Sequence, residues 1–458
     1  MLEVKNPVTG KIIQTLESDT PLTIKEKVKK AHDAQFEWEA TPFKEKQEII
    51  SSWRVLLKEN LEHLALTLTQ ETGKPIRQSR NEILGTLSRI DFFLKEVGKF
   101  LTETSVYQDP DSHLIETLTN EPLGVIANIS AWNYPYFVGS NVFLPALLTG
   151  NAVLYKPSEY ATLTGLKITH LLHEAGVPKS IFSCIVGKGD AGVSLLESQI
   201  DGVFFTGSYQ TGKKIAEKVA PKLIPLQLEL GGKDPTYVCE DVQVKKAAEA
   251  LADGAFYNCG QSCCSVERIY VHEKVHETFV QEFVKVVLSF QIGNPELEET
   301  YIGPLTRKEQ IPFLEEQIQD AVKKGAKVLV GGKRSNKGDH YFEPSVLTGV
   351  DHSMKLMTEE SFGPVIGIAK VASDEEAIQK MNDSEYGLTA GVFTTNELRA
   401  KKILKRLKAG SVYWNCSDRV SPRLPWSGRK GSGLGATLGD LGIQAFLKPK
   451  AWHLKNSL

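Results

Sequence analysis

Val125-Ile126-Ala127-Asn128-Ile129, Ala152-Val153-Leu154-Tyr155 and Val203-Phe204-Phe205-Thr206 are short apolar runs, too short for helices and rich in β-branched and aromatic residues. Stretches 163–174 and 211–219 have helical character. Short buried strands alternating with helices predict an α/β fold: a parallel sheet with helices on both faces. A second alternating series begins after Asp234-Pro235, with strands expected at 268–271, 327–330, 365–371, 390–394 and 410–414. The chain therefore divides near residue 232 into two α/β halves. Upstream, Thr41-Pro42 opens one long amphipathic helical stretch that runs to the stop at Gly73. A second helix follows Pro75 and continues to about Phe100, and 113–119 alternates apolar and polar residues as an exposed strand arm.

The bulk properties exclude several classes. With 458 residues the chain is too long for one compact core. Lys+Arg at 54 against Asp+Glu at 56 gives a formal charge of -2, which calls for neither nucleic acid nor an acidic membrane surface as partner. Met1 to Pro7 has no apolar stretch, so no signal peptide is expected. The most apolar region, 142–155, is interrupted by Pro145, Gly150 and Asn151 and is not a membrane span. Six scattered cysteines in a large chain suit a reduced, cytoplasmic protein better than a disulfide scaffold.

Two runs carry the chemistry. Leu228-Glu229-Leu230-Gly231-Gly232-Lys233 offers an isolated carboxylate beside paired glycines, and Asn258-Cys259-Gly260-Gln261-Ser262-Cys263-Cys264 offers a thiol after a Gly-Gln turn. A thiolate nucleophile with a separate carboxylate base can make a covalent acyl-enzyme and hydrolyse it. Apolar neighbours Leu228 and Leu230 raise the pKa of Glu229 into a range useful for proton transfer. Gly231 and Gly232 are expected to leave space for that carboxyl to swing or for a water to approach. Packing is the default for Cys259 and Cys264. Phe205-Thr206-Gly207-Ser208 ends a strand and opens a helix, where backbone N–H groups and the Ser208 hydroxyl suit a pyrophosphate. Gly187-Lys188-Gly189-Asp190-Ala191-Gly192 fits the dinucleotide string G-x-G-x-x-G, a weak signal alone. His272-Glu273-Lys274-Val275-His276 matches the zinc-protease pattern, but His272 ends a predicted strand, so the rings do not share a helical face. No metal is expected.

The two runs, in this order and 34 residues apart from Glu229 to Cys263, resemble the aldehyde dehydrogenase superfamily, and the resemblance covers nearly the whole chain. It implies a Rossmann-like NAD-binding domain (1–106 and 121–232), an α/β catalytic domain (233–436), and an oligomerisation arm and tail (107–120 and 437–458). It implies Cys263 as nucleophile, Glu229 as base for thioester hydrolysis, and the Asn133 amide as oxyanion donor with the Cys263 N–H. Trp132-Asn133-Tyr134-Pro135 and Lys156-Pro157-Ser158-Glu159 carry it further, with Lys156 and Glu159 on the adenosine ribose, and Gly189 lines the adenine. A carboxylate at Glu159 accepts from ribose hydroxyls and repels a 2′-phosphate, which favours NAD over NADP. Glu360 and Phe362, in Glu359-Glu360-Ser361-Phe362-Gly363-Pro364, are expected at the nicotinamide ribose and nicotinamide, and Trp132, Gly207, Ser208 and Leu230 complete the cofactor set. The partners implied are a small-molecule aldehyde and further copies of the chain. Lacking the N-terminal extension of many relatives, the chain leaves homodimer and homotetramer both open.

Three rival functions compete with this one. A CoA-acylating relative would pass the acyl group to a thiol, against which Glu229 speaks; a zinc hydrolase would use His272 and His276; a binding protein would keep the scaffold without chemistry. Tyr134, Phe137, Tyr257 and Trp426 suggest an apolar mouth for aliphatic or aromatic aldehydes. Nine residues after Trp132, where many relatives have an aromatic or an arginine, stands Asn141, which weakens a succinate-semialdehyde-type assignment. Arg419 and Arg423 remain as alternative partners for a distal carboxylate.

Overall fold

The computed structural model describes residues 1–455. Strands β1 (Leu2–Lys5) and β2 (Ile12–Leu16) pair antiparallel, and helices Pro21–Ala40, Phe43–Glu59, Leu61–Thr72 and Ile76–Glu96 follow. The single helix expected from Pro42 to Gly73 is two: Asn60 ends one and begins the next, and its side-chain amide donates to Leu56 O at 2.9 Å. An asparagine amide can satisfy a carbonyl at a helix end, where the ladder runs out. Gly73 closes the second helix in the left-handed region at φ 80°. The antiparallel arm consists of β3 (Thr104–Asp109) and β4 (Leu114–Pro122).

The first sheet is built from β5 (Val125–Ile129), β6 (Ala152–Lys156), β7 (Phe182–Cys184), β8 (Gly202–Thr206) and β9 (Leu226–Glu229), all parallel where they pair. Its helices Pro135–Leu148, Thr162–Glu174, Gly189–Glu197 and Tyr209–Val219 lie between these strands in the chain. The first of them absorbs most of the apolar region noted above, with Pro135 in its first turn and Pro145 inside it. The second sheet starts five residues after β9. It comprises β10 (Asp234–Val238), β11 (Val266–His272), β12 (Lys327–Val330), β13 (Ser345–Thr348), β14 (Val365–Val371), β15 (Thr389–Phe393) and β16 (Ser411–Trp414), parallel except at the β12 edge.

The chain then returns. In β17 (Gly433–Leu434), expected with the second half, Gly433 and Leu434 pair antiparallel with Glu229 and Leu228. This gives the first sheet the order β17-β9-β8-β5-β6-β7. Finally β18 (Leu447–Lys455) adds to β4 and completes a three-stranded ribbon, and the last three residues of the expected tail lie outside the described residues. Two separate apolar cores result, one around each large sheet. Among the described residues no helix is long and apolar enough to cross a membrane.

Candidate active site

From β5 the chain steps to β6 and β7 on one side, then crosses to β8 and β9 on the other. Loops diverge at such a reversal, and a crevice opens at the carboxyl ends of the strands. A cavity of about 710 Å³ occupies that position. All twelve site residues expected from the sequence line it. Cys263, Glu229 and Asn133 lie there with Trp132, Lys156, Glu159 and Gly189. So do Gly207, Ser208, Leu230, Glu360 and Phe362.

Cys263 follows an unusual backbone path. Asn258, Cys259 and Gly260 are successively left-handed, at φ 52°, 59° and 69°. Gly260 is needed on two counts: its φ, and a Cβ there would fall 2.2 Å from Gly363 O. Gln78 Oε1 accepts from Asn258 N at 2.8 Å, and Asn258 Nδ2 donates to Asn133 O and Gln261 O, both at 3.2 Å. The Asn133 amide donates to Gln261 O at 3.1 Å, which fixes its plane beside the thiol loop and leaves its second N–H for another acceptor. Cys263 is half-buried at the cavity wall. Its neighbour differs: a hydrogen bond with Cys263, burial and the nearby Asp418 carboxyl hold the Cys264 thiol well above the usual range. Cys264 donates to Asp418 Oδ1 at 3.0 Å, and Cys259 is buried, pushed up to about 12 by its burial. Neither is suited to act as a thiolate.

Glu229 ends β9. Oε1 accepts from Gln227 Nε2 at 2.9 Å and from Thr437 Oγ1 at 3.2 Å, while Oε2 is buried without a partner. Burial pushes this carboxyl up to about 8, against the pull of those donors. The neighbouring glycines are also required for close packing. A Cβ on Gly231 would sit 2.2 Å from both Glu360 carboxyl oxygens, and one on Gly232 would sit 2.8 Å from Cys263 O. They are bare because two other parts of the site pass against them.

Glu360 accepts from Gly232 N at 3.0 Å, and burial followed by repulsion from Glu267 pushes it up to about 8. Phe362, at φ 47°, meets Trp132 edge-to-face with ring centres 5.7 Å apart. Beneath them a buried pair, Lys233 with Glu267 at 2.6 Å, pins the loop: Glu267 also accepts from Ser361 N and Phe362 N. At the other end, burial lowers the Lys156 ammonium, offset in part by Glu159. Ser208 caps the helix Tyr209–Val219 by accepting from Thr211 N at 3.4 Å. A Cβ on Gly189 would meet nothing within 4 Å, so the backbone there is open to a ligand. Arg307, unmarked in the sequence, lines the same cavity with its Nε buried and unpartnered. A helix terminus, an open glycine backbone, a buried lysine beside a carboxylate and an unsatisfied guanidinium suit a dinucleotide.

The remaining sequence candidates separate. His272 ends β11 and His276 starts the helix His276–Leu288, and among the described residues no group of three His, Cys, Asp or Glu side chains could hold a metal ion. Trp426, expected with Tyr134, Phe137 and Tyr257, packs into the core of the first sheet, its backbone paired with Thr437. Arg419 and Arg423 are exposed. Asn258, Gln261, Glu267 and Thr437 went unassigned because their roles are bonds to residues far away in sequence; only the Asn-Cys-Gly string, with residues tolerant of left-handed backbone at both ends, carried a local signal.

A family model described as the aldehyde dehydrogenase family matches residues 1–452. A putative succinate-semialdehyde dehydrogenase [NADP(+)] of Mycobacterium ulcerans is 34% identical over 439 residues, covering 95% of this chain and 85% of that one. The crystal structure of an aldehyde dehydrogenase from Brucella melitensis biovar abortus superposes with a TM-score of 0.96 at 32% identity, covering 100% of this chain and 94% of the other. A betaine aldehyde dehydrogenase variant from Staphylococcus aureus, solved with NAD+, superposes with a TM-score of 0.95 at 30% identity, covering 99% and 94%.

Proposed function

Because the chain belongs to the aldehyde dehydrogenase family, whose members are NAD(P)-dependent enzymes, we propose that it oxidises its aldehyde to a carboxylic acid through a thioester on Cys263. The observation that carries this mechanism is the shared cavity: a half-buried thiol and a carboxyl with one free oxygen face one space. The Cys263 sulfur adds to the carbonyl carbon, and the carbonyl π electrons move to oxygen. The Asn133 amide and the Cys263 N–H donate to that oxyanion, an arrangement worth about 3–4 kcal/mol of barrier. A bound pyridine nucleotide would supply the acceptor for the hydride that leaves the same carbon as the C=O bond re-forms, giving the thioester. Glu229 then takes a proton from water as its oxygen attacks the thioester; the C–S bond breaks, releasing the acid and regenerating the sulfur nucleophile.

Lys156 and Glu159 would hold the adenosine ribose, Gly207 and Ser208 the pyrophosphate, and Glu360 and Phe362 the nicotinamide end. Gly189, Trp132 and Leu230 would line the rest. The Glu159 carboxyl beside Lys156 favours NAD over NADP. We assign 1–106 and 121–232 to cofactor binding and 233–436 to catalysis, with the ribbon of β3, β4 and β18 pairing subunits into a homodimer or homotetramer. Val106, Tyr107, Ile115, Trp452 and Leu454 are exposed on that ribbon, which supports the pairing. All six cysteines are unpaired, as suits a cytoplasmic location.

Reduced-nicotinamide absorbance, with NAD or NADP and a panel of aldehydes, tests the reading in wild type and Cys263→Ala. Turnover that disappears in the variant supports it. Absence of turnover with either nucleotide would favour acyl transfer or a binding role.

A further inference from the structure

A buried cation lies against the aromatic pair that follows Asn133. Arg89, on the helix Ile76–Glu96, is 5% exposed, and its guanidinium carbon lies 3.6 Å from the centre of the Phe137 ring. Phe137 stacks in turn on Tyr134, the residue after Asn133, with centroids 5.9 Å apart and planes 6° from parallel.

Arg89 is poorly satisfied. Nε donates to Asn141 Oδ1 at 3.0 Å, and Nη1 reaches only Gly85 O, at 3.5 Å. Nη2 donates to nothing in the described chain, yet it is not sealed from solvent. The carboxylate nearest in effect, Glu82, is already committed to Lys74. Burial lowers the guanidinium to about 10, so it remains charged at neutral pH. A buried, unpaired guanidinium is costly, and its planar fork matches a carboxylate through two parallel bonds. Two further polar groups of this region are occupied, Asp418 by Cys264 and Tyr257 by Asn81.

The geometry points to Arg89 as the specificity-determining residue for an aldehyde whose far end is a carboxylate. Asn141 is a positioning residue, holding Nε so that Nη2, and Nη1 beyond its long contact with Gly85 O, can turn to the ligand. Asparagine at 141 anchors a guanidinium that arrives from another helix, so the position does not lack one. The inference rests on the aldehyde-oxidising reading above and adds the substrate class to it. An ω-amino aldehyde is disfavoured, because its ammonium would face Arg89.

The test uses the full-length enzyme and three probes: succinate semialdehyde, its neutral methyl ester, and 3-aminopropanal. A charge-assisted bidentate contact is worth about 1.5–3 kcal/mol, so wild type should prefer the acid to the ester by roughly 10- to 100-fold in kcat/KM. Arg89→Met should collapse that ratio to near unity, mainly through a higher KM for the acid, and Arg89→Lys should recover part of it. Asn141→Ala should lower the ratio by raising KM for the acid with kcat little changed. A wild-type preference for the ester or the amine overturns the assignment without any variant, as does a ratio that Arg89→Met leaves intact. No turnover of any probe would overturn the aldehyde reading itself, and this inference with it; turnover without discrimination would remove only Arg89's role.

Discussion

Gln227 and Glu229 stand two apart on β9, on the same side of the strand, and the Gln227 amide donates to Glu229 Oε1 at 2.9 Å. The bond favours the ionised carboxyl and opposes the burial that pushes it up to about 8. A base with that pKa is about one-tenth ionised at pH 7. Thioester hydrolysis should therefore rise with pH and level off above about 8. Gln227→Leu removes the favourable donor, and the rising limb should move about one unit to the alkaline side. A pH series of steady-state rates checks both.

Glu229→Gln keeps the shape of the side chain and removes the proposed base. Thiol addition and hydride loss should survive, giving a burst of reduced nicotinamide equal to the enzyme present. The subsequent steady rate should fall by roughly a hundred- to ten-thousandfold. Stopped-flow absorbance separates the two phases. Loss of the burst together with the steady rate would place Glu229 before the thioester.

Gly231→Ala pushes a methyl against the Glu360 carboxyl, which would lie 2.2 Å away. Overpacking of this kind costs about 1–3 kcal/mol, or roughly 5- to 150-fold in affinity. The dissociation constant for NAD, followed by fluorescence quenching, should rise accordingly. The rate of thiol alkylation at Cys263 without cofactor should change much less.

Asn258 has two jobs that substitution can separate. Asn258→Gly keeps the left-handed backbone and loses the amide that bridges Asn133 and Gln261; Asn258→Ala loses both. The glycine variant should lower kcat by about tenfold through a looser oxyanion donor, and the alanine variant should also lower Tm. Equal Tm loss in both would assign the residue to stability alone.

Glu229 and Asp234 are both pushed up to about 8 by burial. Their folded pKa values exceed the unfolded ones, so the native state holds protons that the unfolded chain has released. The stabilisation is complete below about pH 4 and is lost as pH rises through about 8. Tm measured from pH 6 to pH 9 should fall, and Glu229→Gln should flatten part of that decline.

That the twelve expected residues would line one cavity was legible partly from short runs, with Cys263 after Gly260-Gln261, Ser208 after a strand and Glu229 between leucines, and for the rest from the family resemblance. The strands of the first sheet were legible where they are uniformly apolar, as in Val125-Ile126-Ala127. β9 was not, because Gln227 interrupts its pattern in order to hold Glu229. Arg89 escaped for the opposite reason: on an amphipathic helix an arginine reads as surface, and only packing against Phe137 and Asn141 reveals that it points inward. Glu267 and Thr437 act entirely through distant partners, which no local pattern encodes.

The return of the chain to pair Gly433 and Leu434 with β9 also means that the molecule has no place to be cut. A fragment ending near residue 232 would expose the edge of β9 and leave Glu229 without the Thr437 hydroxyl that reaches it across 208 positions. The fragment carrying the thiol would lack the carboxyl altogether. Neither half is an enzyme in waiting, and recombining them as separate modules, or swapping one for that of a relative, would have to carry the C-terminal segment along with the first half.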